Sequence, residues 1–269
     1  MTDSVIPGIG MGTFRLQGND AREAVKSALS LGYRHIDTAQ MYGNESEVGD
    51  GITSSGIPRR QIFLTTKIWY DQLEKNDLIN SLHESLERLK TDHVDLTLIH
   101  WPSPDDQVPM AEYLGALRDA QREGLTKHIG VSNFTCAQMD EAVSLLGEGV
   151  ILTNQVEVHP FLANNKVVEH ARKLGITVTG YMPLALGRVM EDETLIKIAE
   201  TRNLTAAQVA LAWAASRGVV VIPSSTRARH QKANLEALDV ELSPEEIARI
   251  DRLDRNERIA NPDFAPDWD

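Results

Sequence analysis

The chain has 269 residues, 42% of them hydrophobic and 25% charged, a globular composition whose length fits one large α/β domain as well as two small ones. Its formal net charge of -12 disfavours nucleic acid or an anionic membrane surface as a general partner, since both need a basic footprint, so any anionic ligand must be met by local cations. One cysteine, Cys136, excludes an intrachain disulfide framework, and no basic leader or run of about 18 apolar residues occurs, so a cytoplasmic protein is expected, with no membrane partner.

In chain order, strand candidates fall at residues 9–12, 34–37, 62–66, 94–99, 128–131, 152–156, 177–181 and 219–222. Between them, apolar residues recur at helical spacing over 21–31, 45–54, 74–89, 110–122, 135–146, 166–174 and 205–216. Such alternation implies a parallel sheet. Thr135 and Thr205 each precede a glutamine, Gln138 and Gln208, by three positions, the spacing of a capping box, and Ser243-Pro244-Glu245-Glu246 is a further helix start. Gly32 and Gly175 punctuate helix-to-strand junctions, where a left-handed cap suits glycine. With no linker or low-complexity segment to divide the chain, one domain over residues 1–269 is expected, a (β/α)8 TIM barrel. No G-x-G-x-x-G follows any strand, since Gly8, Gly10 and Gly12 alternate with Ile9 and Met11, and a Rossmann site is discounted.

Asp37, Tyr42, Lys67 and His100 lie at or just past the ends of strand candidates, in RHIDTAQMYGNE, IFLTTKIW and DLTLIHWP. A parallel barrel brings such positions to one rim. A phenol can protonate a developing alkoxide if its phenolate is stabilised, and one ammonium about 4 Å away contributes about 4 kcal/mol at an effective dielectric near 20. That interaction would lower the phenol pKa by about 2–3 units. Asp37 would keep Lys67 charged and in place, and His100 with Tyr42 would receive the negative charge formed when hydride attacks a carbonyl carbon. Each residue has a plainer reading, a structural Asp–Lys pair or a core histidine beside Trp101. Four reactive groups in order at consecutive strand ends favour carbonyl reduction, with no metal called for.

The strings GYRHIDTAQMYGNESEVG, LTLIHWP and VIPSSTRARHQKANLEA resemble the signatures of the aldo-keto reductases, NAD(P)H-dependent carbonyl reductases built on a TIM barrel, and the resemblance spans residues 6–268. It implies that Tyr42 is the proton donor, that Lys67 and Asp37 tune it, and that His100 orients the carbonyl. It also implies that Ser132, Asn133 and Gln155 hold the nicotinamide carboxamide, that Tyr181 stacks on the ring, and that Gly12, Thr13, Asp37, Leu184 and Pro223 border the cofactor. Ser224, Ser225, Thr226, Arg227, Arg229 and Asn234 would surround its phosphate end. Ser224 and His230 stand where many members carry lysine and arginine, and Met182-Pro183-Leu184 replaces a serine-containing string. Arg227 and Arg229 remain in the loop and favour NADP(H) over NAD. The stretch 186–193 leaves little room for a long belt over the cofactor.

Phe14, Trp69 and Trp101, with Tyr42 and His100, would wall a pocket for a small-molecule carbonyl substrate. TTKIW, IHWPSP and the ending APDWD are similar to the bacterial 2,5-diketo-gluconate reductases, particularly the shorter B type, which implies keto sugars or small aldehydes such as methylglyoxal as substrates and a monomeric enzyme. The alternative is a non-catalytic NADP(H)-binding regulatory subunit of the same fold. A further one, an isomerase or aldolase with Lys67 as Schiff base, is disfavoured by the aspartate partner.

Overall fold

Apolar runs rich in valine, leucine and isoleucine form parallel strands, and a computed structural model of the chain describes residues 5–269. The strands are β1 (Met11–Gly12), β2 (His35–Asp37), β3 (Phe63–Ile68), β4 (Val94–Ile99), β5 (Thr126–Ser132), β6 (Ile151–Glu157), β7 (Thr177–Tyr181) and β8 (Val219–Val221). They make one eight-stranded sheet in the order of the sequence. The sheet curls until its edges meet: Ile9 bridges Val221, the Gly10 amide donates to the Val221 carbonyl at 2.8 Å, and the Gly12 amide to the Pro223 carbonyl at 3.1 Å. This is the arrangement expected of a (β/α)8 barrel.

Closure depends on two glycines. A β-carbon on Gly10 would lie 2.6 Å from His35 Nδ1, and one on Gly12 would lie 2.6 Å from the Ile222 carbonyl oxygen, both too close for any side chain.

The helices are α1 (Gly18–Leu31), α2 (Glu45–Ser54), α3 (Lys75–Leu89), α4 (Met110–Arg122), α5 (Cys136–Leu146), α6 (Asn165–Lys173), α7 (Glu193–Arg202), α8 (Ala206–Ser216), α9 (Ala228–Glu236) and α10 (Pro244–Asp251). Thr135, Thr205 and Ser243 stand outside their helices as caps, each in a reciprocal bond with the residue three positions on. The periodicity had put the two threonines inside. Two helices went unread. α7 carries its buried stripe, Leu195, Ile198 and Ala199, among charged neighbours, and Asp192 starts it by accepting the Thr194 and Leu195 amides. α9 buries only Gln231 and Asn234, so no apolar period betrays it. β3 runs to Ile68, which places Lys67 inside a strand rather than after it; an inward ammonium is tolerated there because Asp37 pairs with it.

Between sheet and helices lies the main apolar core, and inside the curl a smaller cluster of Ile6, Leu96, Leu98 and Val220 packs with Phe63 and Leu152. His35 is sealed beside this cluster, Nε2 3.1 Å from Thr65 Oγ1 and its ring edge-on to Phe63. No helix among the described residues is long and apolar enough to cross a membrane.

Burial, with a smaller opposing effect of Asp37, lowers the His35 pKa from 6.5 to about 4. The unfolded chain therefore takes up a proton that the folded chain refuses, and stability complete above pH 6.5 is lost as pH falls toward 4. The loss is on the order of 3 kcal/mol at 1.36 kcal/mol per unit. Urea unfolding of wild type and His35→Gln at pH 7.5 and at about pH 4.5 should show the variant with the smaller drop; equal drops would remove His35 as the source.

Candidate active site

β2 ends at Asp37, and the chain turns through Thr38 and Ala39 into a short 3-10 turn, Gln40–Tyr42, closed by Gly43 at a φ of 64°. Side chains fix this turn from two directions. Gln17 Nε2 donates to the Tyr42 carbonyl at 2.9 Å. The buried Asn44 donates to the Thr13 and Leu16 carbonyls at 2.8 and 2.9 Å and accepts from Thr38 Oγ1 at 3.0 Å. Neither Gln17 nor Asn44 was singled out from the sequence, although Asn44 sits inside the first signature string.

Lys67, on β3, is fully buried; its Nζ donates to Asp37 Oδ1 at 2.5 Å, to the Thr38 carbonyl at 2.8 Å and to the Tyr42 hydroxyl at 3.2 Å. Asp37 Oδ2 accepts from Gln155 Nε2, across the barrel on β6, at 2.8 Å. His100 follows β4 directly, with its ring edge-on to Tyr42 at 5.7 Å and to Trp69 at 5.0 Å. The structure thus brings Asp37, Tyr42, Lys67 and His100 together at one rim.

The electrostatics correct one expectation. The Tyr42 pKa is raised above its ordinary value of 10, first by burial; Lys67 lowers it, by charge and by hydrogen bond, while Asp37 raises it. The sequence suggested a net lowering, because it shows the ammonium but neither the dryness of the site nor the nearness of the carboxylate. Burial disfavours the charged form of Lys67, but Asp37 and Tyr42 outweigh it and the ammonium is held above its usual range. Burial, then Lys67, pushes His100 well below 6.5, so its imidazole is neutral. Its Nδ1 is buried with no protein partner.

A cavity of about 780 Å³ opens on Asp37, Tyr42 and His100. Of the expected cofactor residues, Gly12, Asp37, Asn133, Gln155, Tyr181, Leu184 and Asn234 line it, as do Pro223, Ser224, Ser225, Thr226 and Arg227. Thr13, Ser132 and Arg229 do not. Thr13 donates to the Asp37 carbonyl through Oγ1 at 3.0 Å, Ser132 Oγ donates to the Gln155 carbonyl at 2.7 Å, and Arg229 lies exposed outside the cavity. Phe14, Tyr42, His100 and Trp101 line the chemical end. Trp69 does not reach the lining and supports His100 from the side. Asn133 donates to the His100 carbonyl at 3.0 Å and accepts from the Tyr181 hydroxyl at 2.8 Å, so the residues expected around a nicotinamide already brace one another.

Arg15, Met41, Leu186, Met190 and Ala260 also border the cavity and were missed. Met41, Leu186 and Met190 are among the most exposed large apolar side chains, a property visible only once the chain is folded. The short stretch Ala185–Met190 forms tight turns, with Leu186 and Gly187 in left-handed conformations, that edge the cavity.

The lining fits an extended anionic dinucleotide. From Tyr42 and His100 the cavity passes the Tyr181 ring and reaches residues 224–227 at the start of α9, where unpaired helix amides favour phosphate. Arg227 is exposed there and forms no ion pair among the described residues.

A model of the aldo/keto reductase family matches residues 8–255. Methylglyoxal reductase DkgB of Escherichia coli O157:H7 is 50% identical over 265 residues, 98% of this chain and 99% of that protein. Glyoxal reductase of Bacillus subtilis is 39% identical, over 96% of this chain and 93% of that protein. Among solved structures, one provisionally assigned as a 2,5-diketo-D-gluconic acid reductase B is 46% identical with a TM-score of 0.95, covering 98% of this chain and 94% of that one. Bombyx mori aldo-keto reductase in complex with NADP is 32% identical with a TM-score of 0.89, over 97% and 95%. The chain belongs to the aldo/keto reductase family of oxidoreductases.

Proposed function

We propose that this chain is a single-domain (β/α)8 reductase that uses NADPH to reduce a small aldehyde such as methylglyoxal, or a keto sugar of the 2,5-diketo-gluconate kind. The observation that carries the reading is the buried Asp37–Lys67–Tyr42 relay, 2.5 and 3.2 Å at its two links, ending at a cavity beside a neutral His100. The names of the relatives and the NADP held by one of them support it.

The chain's own residues divide the work. Tyr42, protonated at rest, gives its proton to the substrate oxygen as charge builds there. The phenolate left behind faces the Lys67 ammonium, which Asp37 holds charged. His100, neutral, donates a hydrogen bond to the same oxygen and orients the carbonyl. When bound, the reduced dinucleotide supplies the hydride. Tyr181 would lie along its ring, and Arg227 with the amides at the start of α9 would hold its ribose phosphate. We take the protein further as a monomer of the cytoplasm, a setting its one thiol suits.

Three measurements bear on this. Pyridine-nucleotide absorbance followed with methylglyoxal, keto sugars and aromatic aldehydes, each with NADPH and NADH, should show turnover that is faster with NADPH; tight NADPH binding with no turnover on any substrate would point to a regulatory subunit instead. Tyr42→Phe should lower kcat/KM by about 10²–10⁴ while leaving the NADPH Kd nearly unchanged, as removal of a general acid does. Arg227→Ala should raise the KM for NADPH about tenfold, the loss of one charged contact, and that for NADH little. Equal losses for both cofactors would take the ribose phosphate away from Arg227.

A further inference from the structure

Glu157 ends β6, two residues past Gln155 and opposite Tyr181 in the β6–β7 register. Its side chain is wholly buried, and the proposed chemistry does not use it. A carboxylate in that position must be paired or fully hydrogen-bonded. No lysine or arginine pairs with it among the described residues; the His159 imidazole, equally buried, meets Oε1 at 2.8 Å. Its other partners are two main-chain amides from the far end of the chain: Ile259 donates to Oε1 at 2.8 Å and Ala260 to Oε2 at 2.7 Å.

The segment so held follows α10 and has no helix or strand of its own. Other anchors are two amides, of Arg255 and Glu257, on the Phe161 carbonyl, the Arg188–Glu257 ion pair, the Arg255 guanidinium 4.2 Å over the Phe161 ring, Ile259 against the core, the Trp268 ring 6.0 Å from that of Trp101, and the Cys136 amide on Asp269 Oδ2 at 2.9 Å. Ala260 lines the cavity. Four residues on, the Phe264 ring lies 4.5 Å from that of Tyr70, 5.4 Å from Trp101 and 6.0 Å from Trp69. Trp69 in turn stands edge-on to His100.

We propose that Glu157 is a positioning residue: its carboxylate docks the chain end through the Ile259 and Ala260 amides, so that Phe264 packs on Trp69 and Trp101 from outside and braces the Trp101 and His100 side of the substrate pocket. The docking stands on geometry alone; its consequence for substrate rests on the reductase reading above. Amide-to-carboxylate bonds are the stronger class, and both oxygens are engaged, so an uncharged amide at position 157 can retain only one of the two docking bonds.

Full-length wild type, Glu157→Gln, Phe264→Ala and the double variant distinguish the outcomes. By hydrogen exchange on the cofactor-free protein, Glu157→Gln should speed exchange over residues 255–269 by about tenfold or more, the loss expected of a charged hydrogen bond. In turnover with a bulky aromatic aldehyde, each single variant should raise KM about fivefold or more, with kcat within about twofold and the NADPH Kd unchanged, and the double variant should raise KM no further. Unaltered exchange of the chain end in Glu157→Gln, or KM effects that multiply in the double variant, would overturn the proposal. Should Glu157→Gln fail to fold, Ile259→Pro removes one donor from the other side and must give the same exchange and KM pattern. If wild type reduces no carbonyl compound, the reductase reading fails, while the exchange result still decides whether Glu157 holds the chain end.

Discussion

The ion pair between Lys67 and Asp37 is the contact on which the site depends. Both side chains are buried, to 0% and 1% exposure, where a lone charge would cost several kcal/mol and would sooner lose or gain a proton than stay. Each partner therefore requires the other. Their remaining bonds reach outward: Lys67 to the Thr38 carbonyl and the Tyr42 hydroxyl, Asp37 to Gln155 across the barrel. Satisfying one buried charge thus fixes β2, β3, β6 and the turn that carries Tyr42 relative to one another. Positional accuracy at the phenol follows from this electrostatic necessity together with the Gln17 and Asn44 bonds that fix its turn.

That arrangement also sets where protons rest. Dryness outweighs the ammonium at Tyr42, so the phenol keeps its proton, which is the state a donor must start in. On the proposed reading Lys67 does not form the phenolate in advance; it would lower the free energy of the anion left once the proton has gone. His100 feels the same dryness and the same cation, and both keep its imidazole neutral. On the proposed reading one positive charge would both make the phenolate tolerable and help keep the His100 imidazole neutral.

Much of this was legible in the residues. Most strand and helix positions followed from apolar spacing, and the two threonine capping boxes and the Ser243 helix start from side-chain type at fixed offsets, because those are local properties. The four groups at the rim were readable since parallel strands in chain order put every strand end on one side. What escaped was non-local. α9 buries two amide side chains instead of an apolar stripe, Asn44 acts through carbonyls about thirty residues away, and the direction of the Tyr42 shift depends on burial that no spacing encodes. Phe264 escaped for the same reason: Trp69 and Trp101 were expected near the pocket and APDWD could be matched as a string, but nothing local says that Phe264 returns to those two rings.

The net charge of -12 then gives the two ends of the cavity different tasks. At the chemical end Lys67 is sealed and already paired, so it offers an incoming anion little attraction at long range, and Arg15 borders the cavity over the Phe14 ring. At the other end Arg227 is exposed and without a carboxylate partner among the described residues, beside the unpaired amides that open α9. On the proposed reading the phosphate of an anionic dinucleotide would seat at that end, with its ring laid along Tyr181.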